Sequence, residues 1–129
     1  MPFDWKTFVE LAQFLHERAD AAENREAFLR SALSRAYYGA FCYMRNHARD
    51  RLGFRPRDDG DDHGRLRAYL KNTKMRGLSD KLQRLRQWRN ECDYYDQLTF
   101  DARSILALAL SETKSVFARL APPSSSFES

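Results

Sequence analysis

Apolar positions recur along this chain at helical spacing, and nowhere with the alternation of a strand. Phe8, Leu11, Ala12 and Leu15 fall three and four residues apart, which predicts a first helix over about residues 5–20 with Asp4 as its N-cap. The strongest pattern follows Asn24, a second N-cap candidate. From there Phe28, Leu29, Ala32, Leu33, Ala36, Tyr37, Ala40, Phe41 and Met44 repeat in pairs every four residues. They predict a helix of about seven turns, running to about Arg51 and stopped by Gly53. The segment 53-GFRPRDDGDD-62 combines glycine, proline and aspartates and reads as a loop. Asp62 then caps a short helix from His63, with Leu66, Tyr69 and Leu70 facing inward. After a break over residues 72–77, Ser79 opens a fourth helix that buries Leu82, Leu85, Trp88 and Cys92. Thr99 caps a last helix on which Ile105, Leu106, Ala109, Leu110, Val116, Phe117 and Leu120 keep one apolar stripe.

The pattern therefore predicts an all-α fold, an antiparallel up-and-down bundle of four main helices plus one short helix. One domain over residues 1–121 accounts for all five elements, since 129 residues suit a single core. Pro122, Pro123 and the serines after them read as a flexible tail over residues 122–129.

Composition narrows the function classes. Charged residues make up 31% and hydrophobic ones 43%, and no apolar run approaches the ~20 residues of a membrane span. No membrane partner is expected. The opening MPFDWKTFVE has neither a basic start with an apolar run nor a small-residue cleavage site, so a cytoplasmic location is expected. Cys42 and Cys92 lack CxxC spacing and lie in apolar helical pattern, which predicts reduced, structural thiols. His16, His47 and His63 are scattered, so neither a metal nor another cofactor is expected. The net charge of +4 permits nucleic-acid binding. The arginines from Arg45 to Arg57 are offset by Asp50, Asp58, Asp59, Asp61 and Asp62, and this stretch reads as solvated surface or as a phosphate-binding patch.

Two clusters stand out from generic bundle sequence. In 34-SRAYYGAFCYMRNHA-48, Tyr37 and Phe41 belong to the apolar stripe, while Arg35 and Tyr38 are turned from it by about 100–200°. A tyrosine there suits ordinary packing with a bonded hydroxyl, or contact with another helix or subunit. In 89-RNECDYY-95, Arg89 and Asp93 share a helical face and can form a bidentate ion pair. Alternatively Arg89 offers a planar cation to a phosphate, with Asn90 or a tyrosine orienting the substrate. Tyr94 lies roughly 140° round the helix from Arg89 and joins such a site only if the helix bends. His47 reads as solvated, and His63 as a helix-start contact beside Asp61 and Asp62.

Together these clusters resemble the HEPN family of helical nucleotide-binding domains. The likeness lies in 34-SRAYYGAF-41, close to the Ser-Arg-Ala-Tyr-Tyr-Ala-Ala-Phe signature of one prokaryotic branch, in His63 opening the short helix, and in the Arg-Asn-x-x-Asp-Tyr form of 89-RNECDY-94. The resemblance implies a bundle of four or five helices, a homodimer with a polar cleft, and a place in toxin–antitoxin or defence systems. It implies RNA or a nucleotide as ligand and a nucleotidyltransferase antitoxin as partner. Metal-independent ribonucleases of the family place a histidine about four to six residues after the arginine. By that resemblance the catalytic candidates are Arg89, Asn90, Asp93 and Tyr94, and the binding candidates Arg35, Tyr38 and His63. No histidine follows Arg89 in this chain, and Cys42 stands where this branch commonly has another. The acid/base share of the reaction, worth typically about 10²–10⁴-fold, thus has no owner within the motif. A non-enzymatic dimeric helical adaptor is the alternative function.

Overall fold

In a computed structural model, which describes residues 2–121, helix α2 (Arg25–His47) is the element that the others pack upon. Its paired apolar positions explain this, because they cover more than one face. Helices α1 (Lys6–Arg18), α4 (Arg76–Tyr94) and α5 (Ala102–Leu120) all pack against α2, and α3 (Asp62–Asn72) lies mainly on α4. A 3₁₀ turn, Ala19–Ala21, extends α1, and a π turn, Ala48–Leu52, extends α2 until Gly53 ends it at φ 82°. That left-handed conformation suits a residue without a Cβ. The described residues include no strand, and none of their helices is long and apolar enough to cross a membrane.

The core takes one face from each of α3, α4 and α5 and more than one from α2. Leu33, Tyr37 and Met44 of α2 meet Leu66 and Leu70 of α3, Leu78, Leu82 and Leu85 of α4, and Leu106 and Val116 of α5, all almost wholly buried. Each buried aliphatic side chain contributes about 1.5–3 kcal/mol, so truncating one, such as Leu82→Ala, costs about 2–5 kcal/mol. Both cysteines are buried free thiols, and burial pushes the Cys92 thiol up to about 12.

One position sets how closely α1 approaches α2. A Cβ on Gly39 would stand 2.8 Å from Val9 Cγ2 and 3.0 Å from the Trp5 carbonyl oxygen. Glycine in mid-helix is disfavoured by about 1 kcal/mol relative to alanine, and here the close crossing outweighs that. The crossing brings Trp5 and Phe8 beside the Arg35–Arg45 stretch of α2.

The helix ends differ in detail from the sequence expectation. Asp4 does bond the first turn, taking the Lys6 N–H at 3.1 Å, although Trp5 occupies the N-cap position. Asn24 stands at the start of α2 with no side-chain cap. Helix α4 begins at Arg76, so Ser79 is a buried first-turn residue rather than a cap. The cap of α5 is Asp101, whose carboxylate accepts from Ser104 N–H at 3.0 Å and from its hydroxyl at 2.7 Å. Thr99 serves the preceding turn instead, donating its N–H and hydroxyl to Glu91 at 2.8–2.9 Å. Competition among nearby Ser, Thr and Asp side chains for the same backbone groups decides such ends, and sequence alone does not rank them. The segment 122–129, expected as a tail, lies outside the described residues.

Candidate functional site

Two fixed pieces of backbone deliver the side chains of the site. The first is the loop before α3, which is folded around the Asp62 carboxylate. Asp62 is 3% exposed and accepts from Arg57 N–H at 3.0 Å, Asp58 N–H at 2.7 Å and Arg65 Nη1 at 2.8 Å. Burial by itself would raise the Asp62 carboxyl, but these donors hold it below the usual carboxylate range. The next residue, His63, stands half-buried in the first turn of α3 with its ring against Phe41 and Tyr37 of α2.

The second piece is the C-terminal end of α4, gripped by Arg30 of α2. Arg30 bonds the carbonyls of Cys92 at 3.2 Å, Tyr95 at 2.5 Å and Asp96 at 3.1 Å, and pairs with Glu26 at 2.8 Å. The last carbonyls of a helix lack intrahelical partners, and a cation there also meets the negative end of the helix dipole. Arg30 therefore fixes the position of the whole 89–96 segment.

Between these supports the rings form a stack. His63 lies parallel to Phe41 with ring centroids 4.0 Å apart and parallel to Tyr37 at 5.5 Å, and His63 Nδ1 is hydrogen-bonded to the Tyr37 hydroxyl. Tyr38 meets Tyr37 edge-on at 5.2 Å. The Arg89 guanidinium sits 5.2 Å from the Tyr37 ring centre and 5.1 Å from that of Tyr38, a cation–π arrangement on two faces. Arg89 is 6% exposed, and its contact with Asp93 is a single one at 3.5 Å rather than the bidentate pair expected. Asp93 also meets the Ser34 hydroxyl at 3.4 Å and is exposed on its outer side.

Of the seven sequence candidates, the structure brings Tyr38, His63, Arg89 and, at the edge, Asp93 together. Arg35 is directed elsewhere, over the Phe8 ring at 5.1 Å. Asn90 is half-buried one step round α4 and makes no side-chain hydrogen bond among the described residues. Helix α4 runs straight through Tyr94, which is 74% exposed and turned away from the cluster.

Three participants were not singled out from the sequence. Tyr37 was read only as core, and Arg67 of α3 and Arg86 of α4 were passed over. Both arginines bear electrostatically on Tyr37 and on His63, as Arg89 does. The signal was present in spacing: His63 and Arg67 are four apart, Arg86 and Arg89 three apart, so each pair shares a helical face.

The charge balance of this cluster is its most informative property. Burial, followed by the charges of Arg86, Arg89 and Arg67, pulls His63 down to about 4, so the ring is neutral at pH 7. Burial raises the Tyr37 hydroxyl above its ordinary value despite the same three cations, and it stays protonated. Arg67 is itself pulled down, first by burial and then by Arg86. Neither Arg67 nor Arg86 forms an ion pair among the described residues, and Asp93 offers Arg89 only its one long contact. Arg67 Nη1, Arg86 Nε and Arg89 Nε are all screened from solvent without a hydrogen-bond partner. Three guanidinium donors are thus left unpaired around a neutral His–Tyr couple.

Among the described residues no three His, Cys, Asp or Glu side chains are grouped to hold a metal ion. An anion is the ligand that this donor set fits, because every unsatisfied group is a cationic N–H. Comparison with protein-family models, with curated proteins and with solved structures found no match.

Proposed function

We propose that this chain is a HEPN-family protein that binds RNA or nucleotides through the Arg67–Arg86–Arg89 cluster, in a toxin–antitoxin or defence setting. The observation that carries the reading is the set of three guanidinium groups with unpaired donors beside stacked aromatic rings. Arginine recognises phosphate through a planar fork, and exposed rings supply stacking surface for bases, about 1–3 kcal/mol per base. The half-buried rings of Trp5 and Phe8 lie beside α2 as well, with Arg45 5.9 Å from the Trp5 ring centre and Arg35 5.1 Å from that of Phe8. The family resemblance supports a four-helix antiparallel arrangement and a homodimer.

Binding is favoured over cleavage. His63 is neutral at pH 7, but with a pKa near 4 it is a weak base, and its Nδ1 is already hydrogen-bonded to the Tyr37 hydroxyl. Any ribonuclease activity is therefore that of a degenerate, metal-independent site, with Arg89 holding phosphate and His63 as a poor proton acceptor. The test is binding of single-stranded RNA at low salt by the wild type and by Arg89→Lys, with melting curves to verify folding. Arg89→Lys keeps the charge and loses the fork, and affinity is expected to fall about tenfold. Absence of RNA and nucleotide binding by the folded wild type would sink the reading.

A non-enzymatic adaptor is favoured by one separate observation, the outward exposure of Tyr94 and Tyr95 at 74% and 51%. Under that reading the α4 end meets a partner such as a nucleotidyltransferase. Tyr94→Ala would then abolish co-purification with that partner and leave RNA binding unchanged.

A further inference from the structure

The cluster of Arg67, Arg86 and Arg89 offers three unpartnered cationic donors. We propose that it receives a terminal phosphate, a phosphomonoester dianion carried by an RNA end or a mononucleotide, in preference to an internal phosphodiester. The inference rests on the RNA- or nucleotide-binding reading and specifies which part of the ligand enters the site.

Charge is the first argument. Of the three guanidinium groups, Arg89 alone has a carboxylate contact among the described residues, the long one to Asp93, while Asp62 is engaged by two backbone N–H groups and Arg65. A phosphomonoester brings about −1.5 to −2 charges at pH 7, whereas a diester brings one. The dianion relieves more of the repulsion that Arg67 already experiences from Arg86.

Donor number is the second argument. Three guanidinium N–H groups lack partners, and a monoester offers three strong acceptor oxygens where a diester keeps two outside its ester links. Leaving such donors unpaired is costly, and the cost is recovered when the anion draws the flexible forks toward it. Arg67 and Arg86 are half-buried, so each side chain keeps some access to solvent.

Depth is the third. Arg89 is 6% exposed and lies against the rings of Tyr37 and Tyr38. A strand passing through must enter and leave, which requires an open groove past the buried cation. A chain end needs a single opening, and Tyr38, half-buried beside it, can take the first base.

The experiment compares one short single-stranded RNA in 5′-phosphate, 3′-phosphate and hydroxyl-ended forms by fluorescence anisotropy. A nucleoside monophosphate and inorganic phosphate serve as competitors. At least one phosphorylated form is expected to bind about tenfold tighter than the hydroxyl-ended strand, a difference abolished in Arg86→Gln and Arg67→Gln and kept in Lys114→Gln, a change at an exposed residue of α5. Strong competition by the mononucleotide identifies a free nucleotide as sufficient ligand; weak competition with an intact end preference identifies the RNA end. Because a variant could fail through misfolding, wild-type melting is followed with added phosphate, and a rise in Tm is expected that Arg86→Lys reduces. Equal binding of all three RNA forms overturns the terminal-phosphate inference and leaves RNA binding standing. Loss of all binding by the folded wild type removes both.

Discussion

Two arginine sites flank α4 in this molecule and they are built in opposite ways. At the C-terminal end of the helix, Arg30 spends its donors on Glu26 and three backbone carbonyls. Earlier on the same helix, Arg86 and Arg89 carry unpaired donors, Arg86 bears electrostatically on Arg67 of α3, and Asp93 answers Arg89 with one long contact. The same side chain is a fastener in one place and a cation with unanswered donors in the other. What separates them is the accounting of donors against acceptors, since a buried guanidinium is stabilising only where its hydrogen bonds and charge are answered.

The largest effect expected from breaking this contrast is at Arg30. Arg30→Ala leaves three carbonyls at the α4 end without their donor and should lower unfolding free energy by about 2–3 kcal/mol, measured by urea denaturation. An unchanged midpoint would mean that solvent replaces the arginine and that the end of α4 is not pinned. At the other site the result should invert. Arg86→Gln removes a cation crowded by Arg67, so stability is expected to hold or rise, while RNA affinity falls about tenfold and the salt slope loses about one unit. A large drop in stability there would make Arg86 a structural residue like Arg30.

The pH dependence sharpens the comparison further. His63 is held near 4 in the folded chain against an ordinary value of 6.5, so between these values the unfolded chain binds more protons. Stability should fall as pH drops from about 6.5 to about 4 and level off, as far as His63 is concerned, below that. His47 is also pulled down, by burial and then Arg51, so the contribution of His63 is the difference between wild type and His63→Gln. That difference should be of order 1 kcal/mol once solvent screening of the half-buried ring is allowed for. Melting profiles of equal slope in the two proteins over this window would contradict it. The smallest effect is expected for Asp93→Asn, which removes the edge carboxylate and should tighten RNA binding by about two- to fivefold, the scale of a partly exposed ion pair. Weaker binding instead would assign Asp93 to ligand orientation.

Gly39 and His63 illustrate how far the sequence could be read. The helical periodicity located α2, and the motif around Tyr37 and Tyr38 was visible as a departure from simple core. That Gly39 is needed for the α1 crossing was not visible, because it depends on Val9 and the Trp5 carbonyl, thirty and more positions away. His63 was legible as a residue opening the short helix, but its stacking against Phe41 and Tyr37 was not, because those rings belong to α2. The bidentate Arg89–Asp93 pair was a fair reading of i,i+4 spacing. The structure gives a single long contact, because Arg89 is drawn over the two tyrosine rings instead.

By itself, the sequence determined that the fold is helical, where each helix runs to within a few residues, and that an arginine-polar motif lies near the end of α4. Those are local properties, fixed by side-chain period and by glycine and proline, and a linear reading recovers them. Only the tertiary structure decided which charges stay unanswered. Arg67, Arg86 and Arg89 come from two helices and bear electrostatically on a tyrosine from a third, and whether their donors find acceptors depends on how α2, α3 and α4 pack, which no spacing along the chain encodes.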